Sequence, residues 1–209
     1  MRALVIGIVL VLLSGCVNTK LVSYRDPSFS AGYQMGKIVF LASELPLEER
    51  VPVETKFVEQ FKKIGIQGIR GMDLFPPTRS YTEKQKAEIL RRNGITSVLM
   101  MVGYSKTIDS TYVPQTYHSG TTTGTISYVG NTAYLTTQNN SYTTGGYTIK
   151  KPHFTYKLNL HEVRSGKIVW TANGTGRGSA FAKAEEFGHS TAATTIRKMT
   201  EEGLLKGTK

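Results

Sequence analysis

The only thiol in the chain is Cys16, and it closes a short amino-terminal segment with three distinct parts. Arg2 gives one positive charge, residues 3–13 are apolar or glycine without a break, and the small residues Ser14 and Gly15 lead into Cys16. A charged start, an apolar core and a small-residue end form the pattern of a secretory signal. The core is too short to cross a bilayer as a helix, which takes about 20 apolar residues. Residues 1–15 therefore read as a signal peptide, although the same residues allow an ordinary cleaved signal with an incidental or buried cysteine. The histidines, His118, His153, His161 and His189, each stand alone without a metal-motif neighbour. The carboxylate pairs Glu48-Glu49, Glu185-Glu186 and Glu201-Glu202 read as solvated helix ends. Gly176-Arg177-Gly178-Ser179 lies where a phosphate could be cradled, yet it lacks the P-loop and dinucleotide spacings and reads as a flexible exit from a strand. No Gly-x-Ser-x-Gly elbow occurs. The expectation is a chain that is not an enzyme, with no catalytic residues, no metal ligands and no cofactor.

The elements that would carry any surface follow from periodicity. Residues 16–36 have Asp26-Pro27, Gly32 and Gly36 and no sustained pattern, so they read as a tether. Residues 37–42 are a compact apolar run, as in a strand buried on both faces. Pro52 suits the first turn of a helix in which Val53, Phe57, Phe61 and Ile64 repeat at helical spacing, while Glu54, Lys56, Glu59, Lys62 and Lys63 take the solvated side. Residues 66–75 form a second strand candidate, and Ser80 with Glu83 has the spacing of a capping box ahead of a helix to Arg92. Residues 95–102 make a third strand. Three strands separated by helices give a βαβαβ unit with parallel strands.

Farther on, Phe154, Tyr156, Leu158 and Leu160 alternate with polar residues, 164–167 turn the chain, and Ile168, Trp170 and Ala172 continue an apolar row on the return strand. Gly174, Gly176 and Gly178 end that strand. The last helix, about 185–205, has the stripe Ala192, Ala193, Ile196, Met199, Gly203 and Leu204. The predicted fold is α/β (α+β): a mixed sheet from a βαβαβ unit plus an antiparallel β-hairpin and a C-terminal helix. It occupies 37–209 as a single domain with an insertion at 105–149.

That insertion is rich in Thr, Ser, Tyr, Gly and Asn, and only Lys106 and Asp109 in it are formally charged. A hairpin can form around Val129-Gly130-Asn131. Tyr112, Tyr117, Tyr128, Tyr134, Tyr142 and Tyr147 give it large contact area at low entropic cost, which suits a partner-contact surface, and a self-packed surface hairpin fits the same residues. The formal charge of +11 would suit nucleic acid in a cytosolic protein. Export removes that partner and leaves anionic lipid or cell-wall groups, or charge that serves only solubility.

Leu13-Ser14-Gly15-Cys16 resembles the bacterial lipoprotein box. The resemblance implies cleavage before Cys16, a lipid thioether on its sulfur and acylation of the new amino terminus, with palmitate among the chains. Several chains on one residue anchor stably. Val17, where inner-membrane lipoproteins carry Asp, implies the outer membrane, at its periplasmic face. The order of elements, with Ser165-Gly166-Lys167-Ile168-Val169-Trp170, resembles the α/β domain of the TolB amino terminus, the curli secretion lipoprotein and the lipoprotein activators of penicillin-binding proteins. What this implies is a binding or adaptor module for an envelope protein or peptidoglycan. Its alternative is a homo-oligomeric secretion ring whose hairpins span the membrane. Spanning strands need roughly 9–11 alternating residues. Ile126 and Tyr128 share a face, but Thr122 and Gly124 precede them.

Overall fold

The computed structural model describes residues 17–29, 35–130 and 132–205, with side chains described throughout except at 116–126, 128–129 and 133–144. Cys16 and the signal segment lie outside the described residues.

Strands β1 (Val17–Arg25), β2 (Ile38–Leu41), β3 (Gly68–Arg70), β4 (Ser97–Val129), β5 (Thr132–Glu162) and β6 (Ile168–Gly178) form one six-stranded mixed sheet in the order β1-β6-β5-β4-β2-β3. The helices are α1 (Leu47–Lys63), α2 (Gly71–Leu74), α3 (Glu83–Arg92) and α4 (Ala184–Glu201). β2 pairs in parallel with both β3 and β4, as the βαβαβ reading requires, and β6 runs antiparallel to β5 and β1. The chain divides into two units: one comprises Met1–Ile108 and Lys151–Lys209, the other Asp109–Lys150.

In the first unit, α1 and α4 pack against one face of the sheet. Phe40 of β2 stacks on Phe57 of α1 with ring centroids 3.7 Å apart, and Val53, Phe61, Leu99, Leu158, Leu160, Trp170 and Met199 complete a buried core. The helices come close at Gly188, where an added Cβ would lie 2.9 Å from the Val53 Cα. A smaller cluster on the other face joins Val39, Ile95 and Val98 to Leu90 of α3.

Several expectations are corrected. Residues 17–25 are an edge strand, in register with β6 from Val17 opposite Gly178 to Arg25 opposite Trp170. Thr19 and Leu21 point into the core, and the Glu202 side chain accepts from both Ser23 Oγ and the indole Nε1 of Trp170, the latter at 2.7 Å. Arg25 donates to the Glu202 carbonyl. Glu202 is thus a tie between β1, β6 and the end of α4, while Glu201 stays at the surface with Arg197 and Lys198.

Helix α1 starts at Leu47, with Pro46 as its cap, so Pro52 lies inside it. Glu48 and Glu49 in the first turn complement the positive helix end. β3 is short because the chain turns into α2 at Gly71, where a Cβ would strike Leu41 and the Phe40 carbonyl. The cap of α3 is Thr82 with Gln85, two residues beyond the Ser80 and Glu83 expected. A bulge at Leu160/His161 pairs His161 with Ile168, so Ile168 faces solvent and Val169 is buried. β6 continues through its glycines, because Gly174 leaves room for the Tyr156 ring and Gly176 for Phe154 and Phe187. In α4, Phe187, Thr191, Ala192, Thr195 and Met199 are buried and Ala193 is exposed.

Glu54 is the largest departure. Expected on the solvated side of α1, it is fully buried. Its Oε1 accepts from Ala42 N at 3.1 Å and Arg50 Nε at 2.8 Å, and its Oε2 accepts from Met72 N at 2.9 Å. Removing it strands a buried guanidinium and two amides. Glu54→Ala is therefore expected to cost about 3–5 kcal/mol in urea unfolding. Glu59→Ala, which breaks only the surface pair with Lys56, is expected to stay within about 0.5 kcal/mol.

Candidate functional site

No cluster of three or more His, Cys, Asp or Glu side chains that could hold a metal ion occurs among the described residues. His189 Nδ1 lies 2.9 Å from Gln60 Nε2, a structural contact, His153 is half-buried on β5, and His161, also half-buried, borders a cleft beside α3. The glycines of Gly176-Arg177-Gly178-Ser179 belong to strand β6 and enclose no phosphate loop.

Two arrangements remain. The first lies where β4 leaves the core, at residues 103–106. Gly103 adopts φ +62°, a conformation other residues rarely take, and Glu44 Oε2 accepts from its N–H at 2.6 Å and from that of Tyr104 at 3.3 Å. Glu49 holds the same stretch from the first turn of α1, accepting from the Tyr104 hydroxyl at 2.7 Å and from Lys106 Nζ at 2.6 Å. The Tyr104 ring packs beside Phe154 and Phe187, and Lys106 Nζ sits 5.8 Å from the Phe154 ring centre. Two carboxylates and an aromatic cluster thereby fix β4 over the four residues that precede its long continuation. Sequence reasoning missed this clamp, because its partners are 55 to 60 positions apart and no local spacing marks them.

The second arrangement is the unit Asp109–Lys150, formed by the remaining lengths of β4 and β5. The expected turn residue Gly130 has φ +63°. The strands extend far beyond the expected 122–128 and 132–138, through the whole insertion. Of the six tyrosines expected at a contact surface, Tyr112 and Tyr147 are exposed. The Tyr112 hydroxyl donates to the Gly145 carbonyl at 3.0 Å, and its ring occupies the space that a side chain at Gly146 would need. The side chains of Tyr117, Tyr128, Tyr134 and Tyr142 lie outside the described set.

In the first unit, a cleft of about 670 Å³ also opens between α3 and the sheet, with Leu41, Phe75, Leu90 and Met100 at its apolar floor and Arg79 and Lys86 at its edge. Phe75 and Tyr81 meet edge to face there, with ring centres 5.5 Å apart.

Burial of the Tyr104 ring, and after it the hydrogen bond to Glu49, pushes that phenol well above its ordinary value, and burial does the same for Tyr156. A raised phenol pKa stabilises the fold fully below about pH 10, where the unfolded phenol is still protonated. Above that, the unfolded chain loses protons that the native chain keeps, so stability falls. Spectrophotometric titration of the native protein should leave Tyr104 and Tyr156 silent until the chain unfolds. Ionisation of either near pH 10 in the native protein would refute the burial argument.

No family model matches this chain, and no curated protein matches it. Among solved structures it is similar to the PelC dodecamer from Paraburkholderia phytofirmans, at 14% identity and a TM-score of 0.43 over 85% of this chain and 96% of that one. A single-substitution variant of the same dodecamer gives 14% and 0.43, over 84% and 94%. A PDZ domain protein from Parabacteroides distasonis gives 7% and 0.32, over 94% of this chain and 38% of that one. Likeness of this degree assigns no family and carries no conclusion about function.

Proposed function

We propose that this chain is a non-enzymatic lipoprotein of the outer membrane, anchored through lipid on Cys16 and facing the periplasm. Its α/β domain serves as a binding or adaptor module for another envelope protein or for peptidoglycan. No helix among the described residues is long and apolar enough to cross a membrane, so the reading relies on the lipid for anchorage.

The observation that carries the binding role is the separate unit Asp109–Lys150. It is a pair of long strands whose only formally charged residues are the two at its ends, and its described tyrosines Tyr112 and Tyr147 are exposed. A two-stranded ribbon without a third strand or a helix against it is marginally stable in water. A partner that lies along it supplies the missing contacts, and tyrosines suit that contact because they present large area with a polar tip. The resemblance to envelope lipoproteins with the same order of elements points the same way.

The alternative, a subunit of an oligomeric secretion ring, draws on strand length. β4 and β5 extend through the insertion for more than the roughly 9–11 residues a membrane-spanning strand requires. Against it, one alternating row of 109–129 is mostly Thr, Ser and Gln, and the other interrupts Tyr112, Ile126 and Tyr128 with Ser110, Thr116, His118, Gly120, Thr122 and Gly124, which leaves no continuous apolar row for lipid.

Cys16→Ala is expected to abolish labelling by a fatty-acid analogue and to move the protein out of the membrane fraction. Crosslinking capture from envelopes should recover one protein or peptidoglycan with the intact chain and lose it when 109–150 is replaced by a short Gly-Ser link. Capture of the same set by both forms would sink the contact role. A ring-sized solution mass for the delipidated chain would favour the oligomer.

A further inference from the structure

One face of the sheet packs against α1 and α4, and on the other face α3 and the chain leading into it cover the β4-β2-β3 side and reach the end of β5, next to Val163. Among the described residues, the rest of the β1-β6-β5 side carries no helix. Register fixes what it presents. Asn18 is aligned with Arg177 and His153, Lys20 with Thr175 and Thr155, Val22 with Asn173 and Lys157, and Tyr24 with Thr171 and Asn159. Each of these residues is exposed or half-buried, whereas its neighbours along the strand that face the core are mostly buried. None of the twelve is acidic, although the chain holds fifteen carboxylates.

Lys20, Arg177 and Lys157 have no hydrogen-bond or ion-pair partner among the described residues. Strands about 4.8 Å apart, with same-face residues about 6.8 Å apart, put the backbone of Lys20 roughly 8 Å from Arg177 and roughly 12 Å from Lys157. That is a patch of three cations, and polar Thr and Asn side chains fill the positions between them. It also contains apolar groups. Val22 and Tyr24 are 79% and 63% exposed on the same face. Cys16 directly precedes the strand, with no linker between them.

We infer that the β1-β6-β5 face is a docking surface for a bilayer of anionic phospholipid. Lys20, Arg177 and Lys157 meet the head-group phosphates, while Val22 and Tyr24 enter the interfacial layer. A soluble polyanion would engage the cations but would have no use for an exposed Val and Tyr beside them, which is why the lipid surface is favoured. The inference rests on the anchored reading only for its biological setting, because the patch is a property of the folded domain.

The test uses the mature chain from residue 16 with Cys16→Ser, which keeps every strand and helix and carries no lipid. Flotation with vesicles of phosphatidylcholine alone, or of equal parts phosphatidylcholine and phosphatidylglycerol, should show binding only to the second, weakening with salt. The triple variant Lys20→Gln, Lys157→Gln, Arg177→Gln should bind about 100-fold more weakly, from the known contribution of each basic residue near an anionic membrane. A control triple on the helical side, Lys62→Gln, Lys63→Gln, Arg197→Gln, removes the same charge and should lose little. The double variant Val22→Ser, Tyr24→Ser should weaken vesicle binding while leaving any binding to a soluble anionic polysaccharide unchanged. Equal loss in both triples would reduce the effect to net charge and overturn the proposal. So would polysaccharide binding without vesicle binding. Circular dichroism confirms that each variant is folded. Vesicle binding by this unacylated chain is read independently of Cys16 lipidation and of capture through 109–150, so either reading can fail without the other.

Discussion

An ionised carboxylate removed from water must be supplied with donors by the protein, and Glu54 shows how much architecture that requirement organises. Its two oxygens collect Arg50 from its own helix, the amide after β2 and the amide that opens α2. These three elements can shift only together. β2 is the centre of the parallel part of the sheet, so its placement fixes β3 on one side and β4 on the other. The Phe40 and Phe57 stack forms directly beside this knot and fills the space between strand and helix. Apolar burial supplies most of the driving force, and the carboxylate selects which packing of α1 is allowed.

From there the order is carried along β4. Glu44 and Glu49, just ahead of and within the first turn of α1, hold residues 103–106, and the aromatic group of Tyr104, Phe154 and Phe187 binds β4 to β5 and α4. Glycines make that packing feasible. Gly174 and Gly176 in β6 have no side chain where Tyr156, Phe154 and Phe187 need room, so residues that look like a strand terminator act as the floor of an aromatic cluster.

The parts of this fold visible in the sequence are those where one apolar pattern decided the outcome. β2, the β5-β6 hairpin and the face of α1 with Val53, Phe57 and Phe61 follow from alternation or helical spacing. The glycine turn near residue 130 follows from its turn residues. β1 was illegible because its apolar residues are split between faces: Leu21 goes inward, while Val22 and Tyr24 go outward, and its inward Thr19 and Ser23 are satisfied by hydroxyl and carboxylate partners more than 170 positions away. Glu54 was misplaced for a related reason. Helical spacing reports which side of a helix a residue takes on average, but a charge is buried only because of donors that other segments bring. The clamp on 103–106 and the open basic face share that non-local origin. The basic face becomes visible only when register places residues near 20, 157 and 177 side by side.

The pairing of β1 with β6 also sets an order of events. Among the described residues, β1 has its sheet neighbour in residues 170–178, and its Ser23 is tied to Glu202, 179 positions later. β1 cannot take its place in the sheet before those residues are present. A chain cut short of Glu202 would lose the carboxylate that holds Ser23 and the Trp170 indole together, so damage to the end of α4 would be felt at the first strand.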